Sequence, residues 1–353
     1  MQITTVGLDL AKRIFQVHAV DASGDVVVRK ALRRSQVLPF FAKLPRCLIG
    51  IEACGTSHHW ARELTELGHE VRLMPPSYVK PYVKRGKNDA VDAEAICEAV
   101  TRPTMRFVAM KSAEQQAALS LHRTRNLLVK QRTQLVNMIR GLLAEFGIDI
   151  PQGLERALRL AHQIAAKEAT PEVPAMATQV LGLLCGQVLD THVRLQAIDR
   201  SISALQRTDD VARRLSTIPG IGPVGATALA ASVADPGQFR SGREFAAWLG
   251  LTPSQNSSGG KDRLGHITKM GDRYLRKLLV IGATSLTRRA RHKPEAADPR
   301  LLALLARKPA RVASVAMANK MARVVWAIMA RGETYQARHA ASLAAQGSKR
   351  MKF

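Results

Sequence analysis

Residues 2–10 read QITTVGLDL and residues 14–20 read IFQVHAV, two apolar segments separated by the short turn AKR. Their length and their content of Val, Ile and Thr predict two β-strands. The segment DASG at 21–24 predicts a turn, and VVVRKAL at 26–32 predicts a third strand. The chain therefore begins as an antiparallel meander, and Asp9 is a lone acid within its first strand.

Beyond the meander, helical and extended patterns alternate. The expected elements are a short helix, a strand, a helix, a strand, a helical stretch and a helix, at 35–43, 47–53, 57–68, 70–74, 77–84 and 88–100. Strands that alternate with helices in this way allow a mixed sheet with right-handed parallel crossovers. We therefore expect an α/β domain over residues 1–110.

Four carboxylates stand out in this part of the chain. Glu52 ends the fourth strand, so Asp9 and Glu52 would converge at the carboxyl edge of the sheet if their strands are parallel neighbours. Asp89 and Asp92 are three positions apart, a spacing that places both on one helix face. A buried, unpaired carboxylate costs several kcal/mol, so the set predicts a two-metal arrangement for phosphoryl transfer. The alternative is that the two aspartates only favour the helix dipole.

The chain has 353 residues and a net charge of +25, and this charge is unevenly placed. Residues 211–353 carry 25 Lys and Arg against 7 Asp and Glu, whereas residues 1–210 carry 28 against 21. A cationic region of this size predicts a polyanionic partner, most simply nucleic acid. A membrane surface is a weaker alternative, because no basic amphipathic helix dominates at a terminus.

The four cysteines form no CxxC pair, which predicts reduced thiols of a cytosolic protein. The longest uncharged run, at 173–189, contains Thr and two Gln and predicts a buried helix rather than a membrane span. We therefore expect no membrane partner.

Residues 111–210 have the pattern of a helical arm. Ser112 and Gln115 make a capping-box pattern, and leucines then recur at every seventh position, at Leu121, Leu128, Leu135 and Leu142. A repeat of this kind predicts a coiled coil, and a second helical pattern at about 174–207 could return along the first. An intersubunit coil and a hairpin packed within one subunit both fit.

Residues 211–335 have a helical pattern interrupted by two loops. The first, in LSTIPGIGPVGATALAA at 215–231, predicts a helix-hairpin-helix turn in which Gly220 and Gly222 let the backbone approach a DNA phosphate. A plain turn between two helices is the alternative.

The second loop, NSSGGK at 256–261, separates a helix that ends near Leu249 from a basic helix that begins near Asp272. A Ser/Gly loop is usually a flexible connector. Basic side chains suited to holding a phosphate follow it, and small glycines beside a serine would let a bulky substrate reach the hydroxyl. These cations are Lys261, Arg263, Arg273, Arg276 and Lys277.

Together these motifs resemble the IS110 family of transposases. The resemblance rests on VGLDLAK, GIEACGTSHHW and NDAVDAEAI in the first half, and on IPGIGPVGA, FRSGREFAAWLGLTP, NSSGGKDRLGHITKMGDRYLRKLL and ANKMARVVWAIM in the second. It covers roughly residues 3–331. The family's architecture implies a RuvC-like (RNase H-type) domain at 1–110, a coiled-coil arm at 111–210, an all-α transposase domain with a catalytic serine at 211–335, and a basic tail at 336–353.

The resemblance also implies the chemistry. Asp9, Glu52, Asp89 and Asp92 would bind Mg²⁺ (or Mn²⁺), and a serine of the second domain would attack a DNA phosphodiester to give a phosphoserine link. Ser257 and Ser258 compete for this role, and Ser258 is preferred because it directly precedes the glycine. The family's partners would be donor and target DNA and a noncoding guide RNA transcribed from the element. Recombination of two duplexes would need a dimer or tetramer, in the cytoplasm and associated with the nucleoid.

Two other functions remain open from the sequence. A RuvC-like nuclease or junction resolvase would use the same four acids with water as the nucleophile and no covalent intermediate. A non-enzymatic nucleic-acid scaffold would use only the hairpin turn and the basic helices, and would leave the buried acids without a role.

Overall fold

The computed structural model describes residues 2–84, 88–168, 171–257, 260–261 and 263–336. It divides into two compact units, one formed by residues 1–116 with 231–240 and the other by residues 117–230 with 241 onward. The predicted division into an arm at 111–210 and a domain at 211–335 stays a prediction.

The first unit contains a five-stranded mixed sheet with the strand order β3-β2-β1-β4-β5. Its strands are β1 (Thr5–Asp9), β2 (Ile14–Val20), β3 (Val26–Arg33), β4 (Leu48–Glu52) and β5 (Glu70–Met74). The first three strands form the predicted antiparallel meander. Strand β4 pairs in parallel with β1, and β5 pairs in parallel with β4. The predicted mixed sheet is therefore confirmed.

The helices of the first unit are α1 (Val37–Phe41), α2 (Ser57–Glu66), α3 (Pro76–Val79) and α4 (Asp89–Val100). Side chains alternate between the two faces of a strand. Leu8 and Ile51 therefore share one face, where they pack with Leu64 of α2 in the core. Helix α4 covers the opposite face. The predicted helical stretch at 77–84 is shorter than expected, because it is a four-residue helix followed by a 3₁₀ turn at Lys80–Tyr82.

The second unit begins with three helices, α5 (Ala113–Ala144, whose first residues belong to the first unit), α6 (Leu154–Ala165) and α7 (Ala175–Thr208). Ser112 and Gln115 exchange the two hydrogen bonds of the predicted capping box. Helix α6 was not predicted from the sequence, and it packs with α5 and α7 in one core. The predicted uncharged helix at 173–189 is buried only on the face of Leu181, Cys185 and Val188.

Helices α5 and α7 run antiparallel. Arg125 Nε donates to Asp199 at 2.6 Å, and one heptad further along α5, Arg132 contacts His192, one heptad back on α7. The four heptad leucines are only partly buried, whereas Val136, Ile139 and Leu143 are fully buried. The predicted hairpin within one subunit is thus present, and an intersubunit coil stays a prediction.

The remaining elements of the second unit are mostly helical. They are α8 (Asp210–Leu215), α9 (Pro223–Ser232, which ends in the first unit), α10 (Gly242–Trp248), β6 (Pro253–Gln255), β7 (Leu264–Ile267), α11 (Arg273–His292), α12 (Pro299–Arg307) and α13 (Ala310–Arg331). Strands β6 and β7 form an antiparallel pair, so the expectation of an all-α domain is wrong at this point. The two strands are only three and four residues long, too short for their pattern to show in the sequence.

Helix α13 is long and apolar enough, by length and composition alone, to cross a membrane. It packs against α10 and α11, and the core helix of a soluble protein meets the same criterion. The helix is therefore weak evidence for a membrane span.

Candidate active site

The carboxyl ends of β1 and β4 place two acids side by side. These strands are parallel, and Leu8 pairs with Ile51. The next residues are Asp9 and Glu52, which therefore lie at the same edge of the sheet. Because they alternate with Leu8 and Ile51, both acids project from the face that α4 covers.

Gly7 brings α4 close to this edge. A Cβ atom at Gly7 would lie 2.1 Å from the carbonyl oxygen of Ala93 and 2.5 Å from the amide nitrogen of Cys97, so only glycine permits this approach. Asp89 lies one helical turn before Ala93, and Asp9 lies two residues after Gly7 on the same face of the sheet. The contact at Gly7 thus sets Asp89 and its neighbour Asp92 beside Asp9.

Three of the four predicted ligands come together. One carboxylate oxygen from each of Asp9, Asp89 and Asp92 lies within 4.8 Å of the other two. Trans ligands of an octahedral Mg²⁺ are about 4.2 Å apart, because each bond is about 2.1 Å long. The cluster therefore fits such an ion after small side-chain movements. Glu52 lies outside this three-residue group, on the adjacent strand.

The aspartates of α4 are not used to cap their helix. The N-cap is Asn88, whose side chain accepts a hydrogen bond of 3.0 Å from the amide of Ala90. Asp89 and Asp92 lie in the first turn, where the helix dipole favours negative charge. The dipole thus contributes, but it does not account for the presence of Asp9 beside them.

The electrostatics of the cluster are unfavourable without a cation. Burial and the charges of Asp92, Asp89 and Glu52 raise the pKa of Asp9 to about 6. Burial, followed by the charge of Asp92, also raises the pKa of Glu52. Among the described residues, none of the four acids has an ion-pair partner. A divalent cation would relieve this repulsion, so the residues present fit a metal.

In the second unit, strands β6 and β7 flank the NSSGGK loop in sequence, and Asn256, Ser257, Gly260 and Lys261 of this loop are described. The amide of Asn256 donates to the carbonyl of Arg263 at 2.9 Å and closes the hairpin. Ser257 accepts a hydrogen bond of 3.2 Å from the Arg263 amide on its hydroxyl oxygen. Ser258, the preferred nucleophile, lies outside the described residues.

The base of this hairpin is tightly built. A Cβ atom at Gly271 would lie 1.8 Å from the carbonyl oxygen of Trp248, and Gly271 has a positive φ of 74°. Arg276 Nη1 donates to the carbonyls of Leu249 at 2.9 Å and Met270 at 2.8 Å, and its predicted phosphate contact stays a prediction. Its guanidinium therefore joins the end of α10 to the hairpin. Lys261, Arg263 and Arg273 are exposed, as phosphate binding requires.

The predicted helix-hairpin-helix turn joins α8 to α9. Gly220 has a φ of +86°, and its carbonyl oxygen would lie 2.1 Å from a Cβ atom at Gly282 of α11. The two glycines therefore allow close backbone packing between this turn and α11. Gly222 is exposed and has open space around it. The phosphate-binding role of both turn glycines stays a prediction.

Two family models match the chain. The model of the IS110 DEDD transposases matches residues 6–148, and that of the transposase IS116/IS110/IS902 family matches residues 212–299. The "Probable family 20 transposase" of Pseudomonas aeruginosa is 50% identical over 337 residues, which span 95% of this chain and 99% of that protein. The chain belongs to the IS110 family of transposases.

Other members of the IS110 family support the same assignment. The "Transposase for insertion sequence element IS1328" of Yersinia enterocolitica is 38% identical over 94% of this chain and 98% of its own length. The "Transposase for insertion sequence element IS1111A" of Coxiella burnetii is 39% identical over 95% of this chain and 92% of its own length. The predicted resemblance is confirmed.

Membership of the IS110 family makes this chain a DNA-processing enzyme, a transposase with DNA substrates. DEDD transposases generally use divalent metal ions, and the aspartate cluster is where the described residues could hold one. The four acids lie within the first matched segment, and the serine loop lies within the second.

The feature that orders this site, Gly7, was not predicted from the sequence, although a glycine inside a strand often marks a close backbone approach. A cluster of cations around the β1–β2 turn was not predicted either, because these residues are separated in sequence.

Proposed function

We propose that this transposase cuts and rejoins DNA through a phosphoserine intermediate, with Mg²⁺ or Mn²⁺ held by Asp9, Glu52, Asp89 and Asp92. The observation that carries the metal site is the convergence of three aspartate oxygens within 4.8 Å, without a cationic partner among the described residues. Carboxylate oxygens are the ligands that Mg²⁺ prefers. When bound, the ion would stabilise charge on the phosphate oxygens and lower the pKa of the attacking hydroxyl.

In this mechanism Ser258 is the nucleophile. Its Oγ bonds to phosphorus, the bond from phosphorus to one deoxyribose oxygen breaks, and that departing oxygen takes up a proton in place of the one lost by the serine. Rejoining reverses these steps, since a hydroxyl of the second DNA strand attacks the phosphoserine and Ser258 regains its proton. The reaction requires the serine loop to reach an acid cluster, either of its own chain or of a second copy.

The hairpin supports Ser258 over Ser257. The Ser257 hydroxyl oxygen already accepts the amide proton of Arg263 across the loop, which suits a residue that shapes the loop. Arg276 holds the base of the same hairpin through two carbonyls. Lys261, Arg263 and Arg273 would bind the phosphates that flank the scissile bond.

We also propose a noncoding guide RNA, a dimer or tetramer as the working assembly, and a cytoplasmic site of action on nucleoid DNA. The net charge of +25 suits a chain that holds several nucleic-acid strands at once. Partly exposed heptad leucines, such as Leu121 and Leu128, offer α5 a surface for a second copy. RNA that co-purifies with the protein and pairs with the element junctions would support the guide.

The competing mechanism is hydrolysis by a RuvC-like nuclease, in which water attacks the phosphate. The two mechanisms differ in the oxygen that the DNA receives. Recombination in water enriched in ¹⁸O should give rejoined products without the label if a serine ester is the intermediate. Label at the cleaved phosphates of every product would refute the phosphoserine mechanism and support hydrolysis.

A further inference from the structure

A second candidate site lies in the first unit, around the turn between β1 and β2. It is a cavity of about 680 Å³. Its lining residues come from that turn, from the end of β3 and from α2, and they are Lys12, Arg13, Ile14, Arg33, Arg34, Ser35 and Trp60. We call it the turn cavity.

The turn cavity is strongly cationic. Four of its seven lining residues are Lys or Arg, and none is an acid. Among the described residues, none of these four cations makes an ion pair. Four like charges around one cavity repel each other, so the arrangement favours an anionic ligand.

Two of the lining side chains make a cation–π contact. The guanidinium carbon of Arg34 lies 5.0 Å from the ring centroid of Trp60, and Trp60 is itself only 4% exposed. The ring of Phe15 supports Trp60 edge-on at 5.0 Å. Trp60 thus contacts the guanidinium group of Arg34, and the exposed Arg34 side chain also lines the cavity.

Trp60 also carries an unused hydrogen-bond donor. Its Nε1 is buried and has no acceptor among the described residues, although buried tryptophans usually have one. A buried donor without a partner costs about 1–3 kcal/mol.

The turn cavity lies beside the acid cluster but on the other face of the sheet. Lys12 follows Asp9 by three residues, so their Cα atoms are at most about 11 Å apart. Phe15 and Trp60 belong to the core on the α2 face, whereas Asp9 projects toward α4. A polynucleotide strand that leaves the acid cluster can therefore pass over the turn and enter this cavity.

We propose that the turn cavity binds one unpaired nucleotide of a strand that continues from the acid cluster. Lysines and arginines would bind its phosphates, and its base would stack on the Arg34 plane beside Ile14, which is 50% exposed. The volume falls within the usual range for a small-ligand site, roughly 300–1,000 Å³. The cavity is open to solvent, so a duplex could only lie across it, whereas one unpaired nucleotide can enter it.

The proposal depends on neither the metal nor the serine, and it is tested without either. Full-length protein in EDTA is titrated with a labelled hairpin duplex that has one unpaired thymidine, with its fully paired counterpart, and with an RNA version of each. The test variant is Arg13→Gln/Arg34→Gln. The matched control is Lys43→Gln/Arg46→Gln, which makes the same charge change on exposed residues of the same unit outside the cavity. Thermal unfolding confirms that both variants fold.

The test variant should lose about ten-fold in affinity for the unpaired substrate, DNA or RNA, as expected for a lost base stack. Its log–log salt slope should fall by about 0.7, since that is the value expected for one contact to a single-strand phosphate, here the contact of Arg13. The control and the paired substrate should change little. Replacing the unpaired thymidine with an abasic residue should remove the wild-type preference.

Three results would overturn the proposal. Equal losses of affinity in the test and control variants would mean that binding depends only on the overall charge of the protein. Equal losses on paired and unpaired substrates, for both DNA and RNA, would mean that the cavity does not select an unpaired nucleotide. If the wild type prefers the abasic substrate over the paired duplex as strongly as it prefers the unpaired thymidine, no base is bound.

Discussion

Replacing Asp9 by asparagine should stabilise the metal-free protein while it removes catalysis. Asparagine keeps the shape of the side chain but carries no charge, so it ends the repulsion with Asp89 and Asp92, whose oxygens lie within 4.8 Å. The raised pKa of Asp9, about 6 instead of 3.8, measures this repulsion together with the cost of burial.

The size of the effect follows from the pKa. One pKa unit corresponds to about 1.4 kcal/mol, so the full shift would be worth about 3 kcal/mol. Because the carboxylate is partly accessible to solvent, screening reduces this to about 1–2 kcal/mol. A change of that size raises the melting temperature of a unit this large by roughly 3–6 °C.

The size of this stabilisation depends on pH. The folded protein holds the Asp9 proton more tightly than the unfolded chain, so ionised Asp9 destabilises the fold fully above pH 6 and not at all below about pH 3.8. The gain from Asp9→Asn should therefore be present at pH 7.5 and disappear near pH 4. The control is Asp25→Asn, on an exposed aspartate.

Thermal unfolding in EDTA and then in Mg²⁺ gives the measurement. Mg²⁺ at ten times its dissociation constant should stabilise the wild type by about 1.4 kcal/mol and stabilise Asp9→Asn much less, because a ligand has been lost. A variant that is less stable than the wild type at pH 7.5, or that gains as much from Mg²⁺, would refute the account of the cluster.

Three further results are expected. Gly7→Ala should lower the free energy of unfolding, measured in urea, by about 1–3 kcal/mol. Gly55→Ala should lower it little, because Gly55 has open space around it. Equal losses in the two variants would contradict the packing of α4 against Gly7. Arg276→Ala should slow strand transfer more than it weakens DNA binding, whereas Arg273→Ala should weaken DNA binding more than it slows strand transfer. If both variants change the rate and the affinity equally, Arg276 does not position the hairpin. Mg²⁺ affinity measured by calorimetry should fall between pH 8 and pH 5, since protons compete for Asp9, and a pH-independent affinity would exclude Asp9 as a ligand.

The first unit was largely predictable because each of its strands is a short apolar run bounded by turn residues. The predicted limits of β2 and β5 are those observed. Asp9 and Glu52 could be placed at one edge because strands that alternate with helices pair in parallel. Their distance to Asp89 and Asp92 could not be predicted, since it depends on the contact of Gly7 with the backbone of α4.

The second unit was less predictable because its decisive contacts are long-range. The role of Arg276 depends on two backbone carbonyls, one of them 27 residues away. The strands of the β6–β7 hairpin are only three and four residues long, so no periodicity indicated them. His122 is buried within α5 and contacts both Thr227 and Tyr274, an arrangement that no local pattern indicates.

The phosphoserine mechanism is tested by trapping the intermediate on a cognate DNA junction in Mg²⁺ and locating it by mass spectrometry. We expect a DNA phosphate attached to Ser258, present with Ser257→Ala and absent with Ser258→Ala, with Asp92→Asn or in EDTA. Cleaved DNA that carries no protein at any time, or an adduct at a residue other than Ser258, would contradict this mechanism.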